Sequence, residues 1–93
     1  MLKLRINVTQ DDIDNGERSN PNCCPIAHAV TRMGFSSVRV EEAVIGFTDA
    51  YKEIYKGVPL TRAAKRFIKR FDRFKKVHPS TFIIQAATWN KQS

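Results

Sequence analysis

The stretch LTRAAKRFIKRFDRF, residues 60–74, carries a repeat of apolar side chains that determines how the chain folds. Apolar residues return every three or four positions, which places them on one face of an α-helix. The members of this apolar stripe are Leu60, Ala63, Ala64, Phe67, Ile68, Phe71 and Phe74. Basic residues occupy the opposite side. We therefore predict an amphipathic helix from about Leu60 to Phe74 whose apolar face packs against a sheet.

A second helix is predicted earlier in the chain. Pro25 suits the first turn of a helix, where its missing N–H costs nothing. The apolar face that follows has i, i+3, i+4, i+7 spacing and consists of Ile26, Ala29, Val30 and Met33. Gly34 is the expected stop. A shorter helical turn after Thr9 has a capping-box pattern with Asp12, and we expect Gly16 to end it in a left-handed conformation.

The remaining apolar segments predict β-strands. They either alternate apolar and polar side chains or concentrate β-branched and aromatic residues. Glu41-Glu42 forms a tight connection between two of them. Residues 51–56 fit a further strand or an extended loop, after which Gly57-Val58-Pro59 introduces the helix over residues 60–74. The four strands predicted outright span residues 2–8, 37–40, 43–47 and 81–84.

These elements follow the order β-α-β-β-α-β. Two apolar-faced helices and four strands predict an α+β fold, a two-layer sandwich with both helices on one face of the sheet. A ferredoxin-like strand order is the first choice, and a different order within the same class is the alternative. The 93 residues suffice for a single domain, 1–93, whose last residues, 86–93, are expected to fray.

The net charge of +7 is concentrated in one segment of the chain. Residues 60–76 contain eight of the 16 bases and one of the nine acids, so the rest of the chain, with eight of each, is neutral. Pairs such as Arg62/Arg66 and Lys69/Arg73 place like charges at i, i+4, which destabilises a helix by about 0.2–0.5 kcal/mol per pair. Binding of an anionic partner explains why this cost is tolerated, and plain solubility is the alternative.

Nucleic acid is the anionic partner that fits the basic row best, because phosphates are regularly spaced and pair with the planar fork of Arg. Such contacts position a nucleic acid without reading its sequence. We expect phosphate contacts from Arg62, Arg66, Lys69, Arg70 and Arg73, with Lys65 and Lys76 flanking. This face has no Asn or Gln for base edges. A stacking platform for single strands is not predicted, because Tyr51 and Tyr55 are assigned to packing.

The cysteines and histidines do not assemble into a recognisable site. Cys23 and Cys24 are adjacent and cannot form an ordinary disulfide. Cys24 and His28 are spaced i, i+4, and a helix start would lower the pKa of the thiol. No further ligands complete a zinc site, no orienting acid completes a nucleophile, and the acidic run DDIDNG, residues 11–16, does not fit a calcium loop. We therefore expect no metal, no cofactor and no enzymatic activity.

Composition and hydropathy predict a globular protein in a reducing compartment. Hydrophobic residues make up 42% of the chain, enough to form a core. No stretch approaches the ~20 apolar residues of a membrane span, and the first residues alternate apolar and basic side chains, unlike a signal peptide. We expect a cytoplasmic location, no membrane partner and no small-molecule substrate.

Short motifs along most of the chain resemble those of small accessory proteins encoded by tailed bacteriophages. The motifs are Ile6-x-Val8-Thr9, Ile13-x-x-Gly16, Cys24-Pro25-Ile26-Ala27-x-Ala29, Val38-x-Val40, Phe71-Asp72 and Val77-x-Pro79 leading into Phe82. Members of this group often carry another cysteine shortly before the Cys-Pro step, where this chain has Ser19-Asn20-Pro21-Asn22. Residues 62–76 are also unusually basic for the group.

A phage origin implies a role directed at the host cell, in whose cytoplasm the protein would bind host machinery. Interference with a nucleic-acid-based defence such as a CRISPR complex fits a basic helix, which could occupy the path of a guide or target strand. The resemblance and the charge together predict a non-enzymatic binding protein of this kind. The alternatives are a protein–protein interaction module that docks on an acidic host surface and a minor structural protein of the virion.

Overall fold

The structure, a computed structural model, describes residues 2–86, with the side chain of Leu2 excepted. These residues form five strands and three helices, which confirms the predicted α+β class. The strands are β1 (Leu2–Val8), β2 (Ser36–Val40), β3 (Val44–Thr48), β4 (Ile54–Pro59) and β5 (Ser80–Ala86). The helices are α1 (Gln10–Asn15), α2 (Pro25–Arg32) and α3 (Arg62–Asp72).

The strands form two antiparallel sheets rather than the single four-stranded sheet of the prediction. β1 pairs with β5 from Leu2↔Ala86 to Val8↔Ser80, and β2, β3 and β4 form a three-stranded meander. Adjacent first and last strands are also a feature of the ferredoxin-like order. That order as a whole is not confirmed, because within residues 2–86 the two sheets are not joined by strand pairing.

β4 is the strand for which the sequence pattern allows either a strand or an extended loop. It begins and ends later than the predicted segment 51–56, and residues 57–59 belong to it instead of leading into α3. Lys56 and Gly57 together face Gly46 of β3, which makes a bulge, and Gly57 has a φ of 60°. Glycine adopts that φ without strain, so a residue typical of turns lies inside a strand here.

One apolar core contains residues from both sheets, from α2 and from α3. α2 packs against β1 and β2 and so connects the two sheets. α3 contacts β5 through the rings of Phe67 and Phe82, which meet edge to face with 5.4 Å between their centres. Within the meander, Phe47 stacks on Tyr55 at 4.8 Å. Because its apolar stripe is buried, α3 presents its basic side away from the core.

Gly16 ends α1 with a φ of −73°, so the predicted left-handed conformation is wrong. Glycine is needed here for space, because a Cβ at this position would lie 2.7 Å from Cδ of Pro25. The capping box of α1 is confirmed: the N–H of Asp12 donates to Oγ1 of Thr9, and the N–H of Thr9 donates to Oδ2 of Asp12. The same carboxylate oxygen accepts a bond of 2.8 Å from Arg32, which ties α1 to α2.

Three residues that spacing assigns to apolar faces are exposed instead. Met33 is the C-cap of α2 and is 42% exposed, and Ala63 is exposed in the first turn of α3. Phe74 lies two residues beyond the end of α3 and is 78% exposed. The helical period stops at Asp72, so it no longer predicts where Phe74 points. Gly34, with a φ of 104°, confirms the predicted stop of α2.

The end of the described chain differs from the predicted tail. Ala86 is buried at the end of β5 and pairs with Leu2 of β1, so it does not begin a frayed segment. The rest of that predicted tail, residues 87–93, lies outside the described residues. Among the helices of residues 2–86, none has the length and apolarity required to cross a membrane.

Candidate anion-binding interface

Capping and burial together determine how α3 is oriented. Oγ1 of Thr61 accepts a hydrogen bond of 3.2 Å from the N–H of Ala64 and caps the N-terminus. Ala64, Phe67 and Phe71 are buried, and Ile68 is half-buried. Burial of this stripe fixes the rotation of the helix about its axis, so the opposite side faces solvent. The exposed basic residues of α3 are Arg62, Lys65, Arg66, Lys69 and Arg70.

The basic side of α3 forms one wall of a surface groove of about 650 Å³. Residues 19–21 and the turn over residues 40–43, between β2 and β3, line the opposite side, and Cys24 also lines the groove. Two of the seven predicted contact residues, Arg70 and Lys76, do not line it. Nη2 of Arg70 donates to the carbonyl of Lys76 at 3.0 Å, beyond the end of α3. The other five line the groove: Arg62, Lys65, Arg66, Lys69 and Arg73.

The bases of α3 have no acidic partner in the described part of the chain. Between residues 2 and 86, the ion pairs within 4.0 Å are Arg32 with Asp12, at 2.8 Å, and Arg39 with Glu41. Neither pair includes a residue of α3. Like charges at i, i+4 therefore repel each other along the helix without a compensating carboxylate. An anion placed along the row would relieve that repulsion.

The groove has a basic wall, formed by α3, and an opposite wall that carries carboxylates. Glu41 and Glu42 belong to the turn between β2 and β3, and Glu41 is engaged by Arg39. Asp72 is the carboxylate on the α3 side, and it accepts a hydrogen bond of 2.9 Å from the N–H of Ser19. An anion in the groove would be attracted by the bases of α3 and repelled by the carboxylate of Glu42, so the α3 side would be the favoured side.

Loop 16–24, the segment between α1 and α2, holds the two walls together. On the helix side, Nε of Arg18 donates to the carbonyl of Phe71 at 3.0 Å. On the sheet side, the N–H of Val40 donates to the carbonyl of Pro21 at 2.8 Å. The loop thereby fixes the distance between α3 and β2, so the groove is a product of tertiary structure rather than of α3 alone.

Arg18 and Phe74 are two exposed residues near this surface that sequence spacing missed. The guanidinium carbon of Arg18 lies 4.6 Å from the ring centre of Phe71 and 4.2 Å from that of Phe74. Spacing assigns Phe74 to the apolar stripe, but the helix ends before it. The run Arg73-Phe74-Lys75-Lys76 contains a usable signal, because an aromatic residue among bases is typical of nucleic-acid-binding surfaces.

The two tyrosines assigned to packing lie in different environments. Tyr55 is buried against Phe47, which confirms the assignment, and its hydroxyl donates to Oδ2 of Asp49 at 3.2 Å. Burial and the neighbouring carboxylate of Asp49 raise the pKa of Tyr55. Tyr51 is 88% exposed, so the assignment to packing is wrong for this residue.

Cys24 is a buried N-cap of α2 and not an activated thiol. Its Sγ accepts a hydrogen bond of 3.4 Å from the N–H of Ala27. Burial raises the pKa of the Cys24 thiol, and the bond from Ala27 opposes this effect only in part. The expectation that the helix start would lower this pKa is therefore wrong. Among residues 2–86, no group of three Cys, His, Asp or Glu side chains comes together as a candidate metal site.

Comparison with models of known protein families, with curated proteins and with solved structures found no match.

Proposed function

We propose that the protein is a non-enzymatic nucleic-acid-binding protein whose phosphate contacts come from the basic side of α3. The observation that carries this proposal is a row of basic residues on one wall of the groove, none with an ion-pair partner among residues 2–86. Arginines dominate the row, and their planar forks bind phosphate through two hydrogen bonds at once. The facing carboxylates of Glu41 and Glu42 favour an anion that stays on the α3 side.

The mechanism is neutralisation of phosphates with release of their counterions. From Arg62 to Arg73 the row spans about 16 Å, with a new turn of helix every ~5.4 Å. Several successive phosphates can therefore face basic side chains at the same time. Each neutralised phosphate releases condensed cations, so the affinity should fall steeply as the salt concentration rises. Contacts of this kind fix the position of the nucleic acid but do not read its sequence.

The resemblance to accessory proteins of tailed bacteriophages adds a setting to this proposal. In the cytoplasm of a host cell, a protein that covers the phosphates of a guide or target strand would inhibit a defence complex such as a CRISPR complex. An acidic protein surface would be attracted by the same bases, and a virion component would carry them without a binding role. The experiment must therefore distinguish phosphates from carboxylates.

The test is fluorescence anisotropy of labelled oligonucleotides at about 50, 100 and 200 mM salt. Wild type is compared with Arg62→Glu/Arg66→Glu/Lys69→Glu/Arg73→Glu once circular dichroism has shown that both are folded. We expect wild-type binding with a steep salt dependence, and binding at least about tenfold weaker in the variant at the lowest salt.

Other results would redirect the proposal. If wild type binds no oligonucleotide at low salt and instead forms a nuclease-resistant complex with one host protein, the row contacts an acidic protein surface. If the protein is found in purified virus particles and binds no oligonucleotide, it is a virion component.

A further inference from the structure

Phe74 occupies a position that helices commonly fill with glycine. Its N–H donates to the carbonyl of Phe71 at 3.1 Å, and the N–H of Lys75 donates to the carbonyl of Arg70 at 2.9 Å. This pair of bonds is the Schellman motif, in which the residue after the C-cap takes the left-handed conformation. Phe74 accordingly has a φ of 61°. Residues with a Cβ are strained there, so the motif alone gives no reason for an aromatic side chain.

The ring of Phe74 contributes little to the core. It is 78% exposed, whereas Phe71 is 2% exposed. The guanidinium carbon of Arg18 lies 4.2 Å from the ring centre of Phe74. Arg18 is itself held in place by the ring and the carbonyl of Phe71. One face of this aromatic ring therefore contacts Arg18, and most of the ring is presented to solvent.

The surroundings of this ring are strongly basic. Asp72 is the one acid between residues 69 and 76, and its carboxylate already accepts the N–H of Ser19. The nearby bases have no ion-pair partner within residues 2–86; they are Arg70, Arg73, Lys75 and Lys76. An exposed ring among cations is the combination that binds single-stranded nucleic acid, because cations follow the backbone while bases stack on the ring.

We infer that Phe74, supported by Arg18, is a base-stacking site, and that the nucleic acid bound along α3 is single-stranded. This inference rests on the proposed function and adds to it the kind of nucleic acid. Phosphates would follow the row that begins at Arg62, and a base would stack on Phe74 beyond the end of the helix. Bases inside a duplex are already stacked on both faces and cannot reach the ring without being unpaired.

The test compares single-stranded and duplex oligonucleotides of equal length at low salt, using variants that differ only in exposed rings. Phe74→Gly removes the ring and suits the left-handed backbone, so this variant should fold. Phe74→Tyr keeps an aromatic ring at the same position. Tyr51→Gly is the matched control, since it removes a ring that is 88% exposed between β3 and β4.

We expect wild type to bind the single strand more tightly than the duplex. Phe74→Gly should lose about 5- to 100-fold in affinity for the single strand and retain its duplex affinity within about twofold. Phe74→Tyr and Tyr51→Gly should resemble wild type with both oligonucleotides.

Two results would overturn the inference in distinguishable ways. If Phe74→Gly binds the single strand as wild type does, while the four-residue variant of α3 has lost binding, the stacking site is wrong and the proposed function stands. If wild type binds neither oligonucleotide, the proposed function fails and the stacking site fails with it.

Discussion

Phe71 and Phe74 are three residues apart, and helical spacing puts both on one face, yet they lie in opposite environments. Phe71 is inside α3 and 2% exposed, whereas Phe74 follows the C-cap and is 78% exposed. The turn that ends α3 redirects the chain between them, and Arg18 contacts both rings. At the scale of the residue, local backbone conformation decides which of two identical side chains joins the core.

Replacing the two rings should therefore have opposite effects on stability. Phe71→Ala leaves a cavity and should lower the free energy of unfolding by about 3–5 kcal/mol. Phe74→Gly relieves left-handed strain and should leave that free energy unchanged or raise it by up to about 1 kcal/mol. Urea unfolding followed by circular dichroism measures both. A loss of more than about 2 kcal/mol in Phe74→Gly would show that its ring belongs to the core.

The raised pKa of Cys24 leads us to expect that the protein loses stability at alkaline pH. Its pKa in the folded protein is raised above the usual 9.0, chiefly by burial. The unfolded thiol releases its proton first as the pH rises, so this contribution is fully present below pH 9 and is lost above it. The free energy of unfolding of wild type should therefore fall between pH 7 and pH 10 by more than that of Cys24→Ser, which retains a capping oxygen.

Urea unfolding at both pH values provides the measurement for Cys24. Tyr55, whose pKa is also raised, adds a loss of the same sign in both proteins and cancels in the comparison. Equal falls in wild type and variant would mean that the thiol ionises as readily in the folded protein as in the unfolded chain.

The cap and the buried stripe stabilise α3, whereas the charges of its first turn oppose it. Its first turn contains no acid, so Arg62 and Lys65 lie unfavourably near the positive end of the helix dipole. At the N-terminus, the hydroxyl of Thr61 accepts a hydrogen bond from the N–H of Ala64. The first turn of α3 is therefore capped by a neutral hydroxyl and not by a carboxylate that would offset its positive charge.

Removing that cap should weaken α3 measurably. Thr61→Ala should lower the free energy of unfolding by about 1 kcal/mol, whereas Thr61→Ser keeps the acceptor oxygen and should be nearly neutral. Thermal unfolding of both variants measures the difference. If the two variants have equal melting temperatures, the bond between Thr61 and Ala64 does not contribute to stability.

Elements with a local pattern could be predicted from the sequence, and elements that depend on distant partners could not. The helical stripe predicts α3, and alternation predicts β1, because both patterns lie within one segment. The sequence does not decide β4, because Gly57 and Pro59 are typical of turns. In the structure, a bulge accommodates Gly57, and Pro59 lies at the end of the strand, where proline is tolerated. β1 and β5 form a sheet of their own, although they are more than 70 residues apart in the chain. No local sequence pattern predicts such a pairing.

Of the two walls of the groove, the sequence predicts the basic wall and not the acidic one. The basic wall is one continuous segment, so counting charges locates it. The acidic wall is not predictable in this way, because Glu41 and Glu42 face α3 only through the bonds that loop 16–24 makes to both sides. The groove therefore depends on the fold, and the proposed binding requires that the positive charge lies on α3, not only that the chain carries it.

Two variants of equal net charge distinguish the effect of where the positive charge lies from the effect of the total charge. Three reversals to Glu lower the net charge from +7 to +1 in each. The control residues Lys3 and Arg5 lie on β1, and Lys52 lies between β3 and β4. All three are exposed and form no ion pair within residues 2–86. The variants are Arg62→Glu/Arg66→Glu/Lys69→Glu in α3 and Lys3→Glu/Arg5→Glu/Lys52→Glu as the control.

The decisive measurement is the apparent Kd of these two variants and of wild type for one labelled single-stranded oligonucleotide across a salt series. We expect the control to bind within about threefold of wild type with a similar salt dependence. We expect the α3 variant to lose at least about tenfold in affinity and most of that dependence. Equal losses in both variants would mean that total charge, and not the basic wall of α3, determines binding.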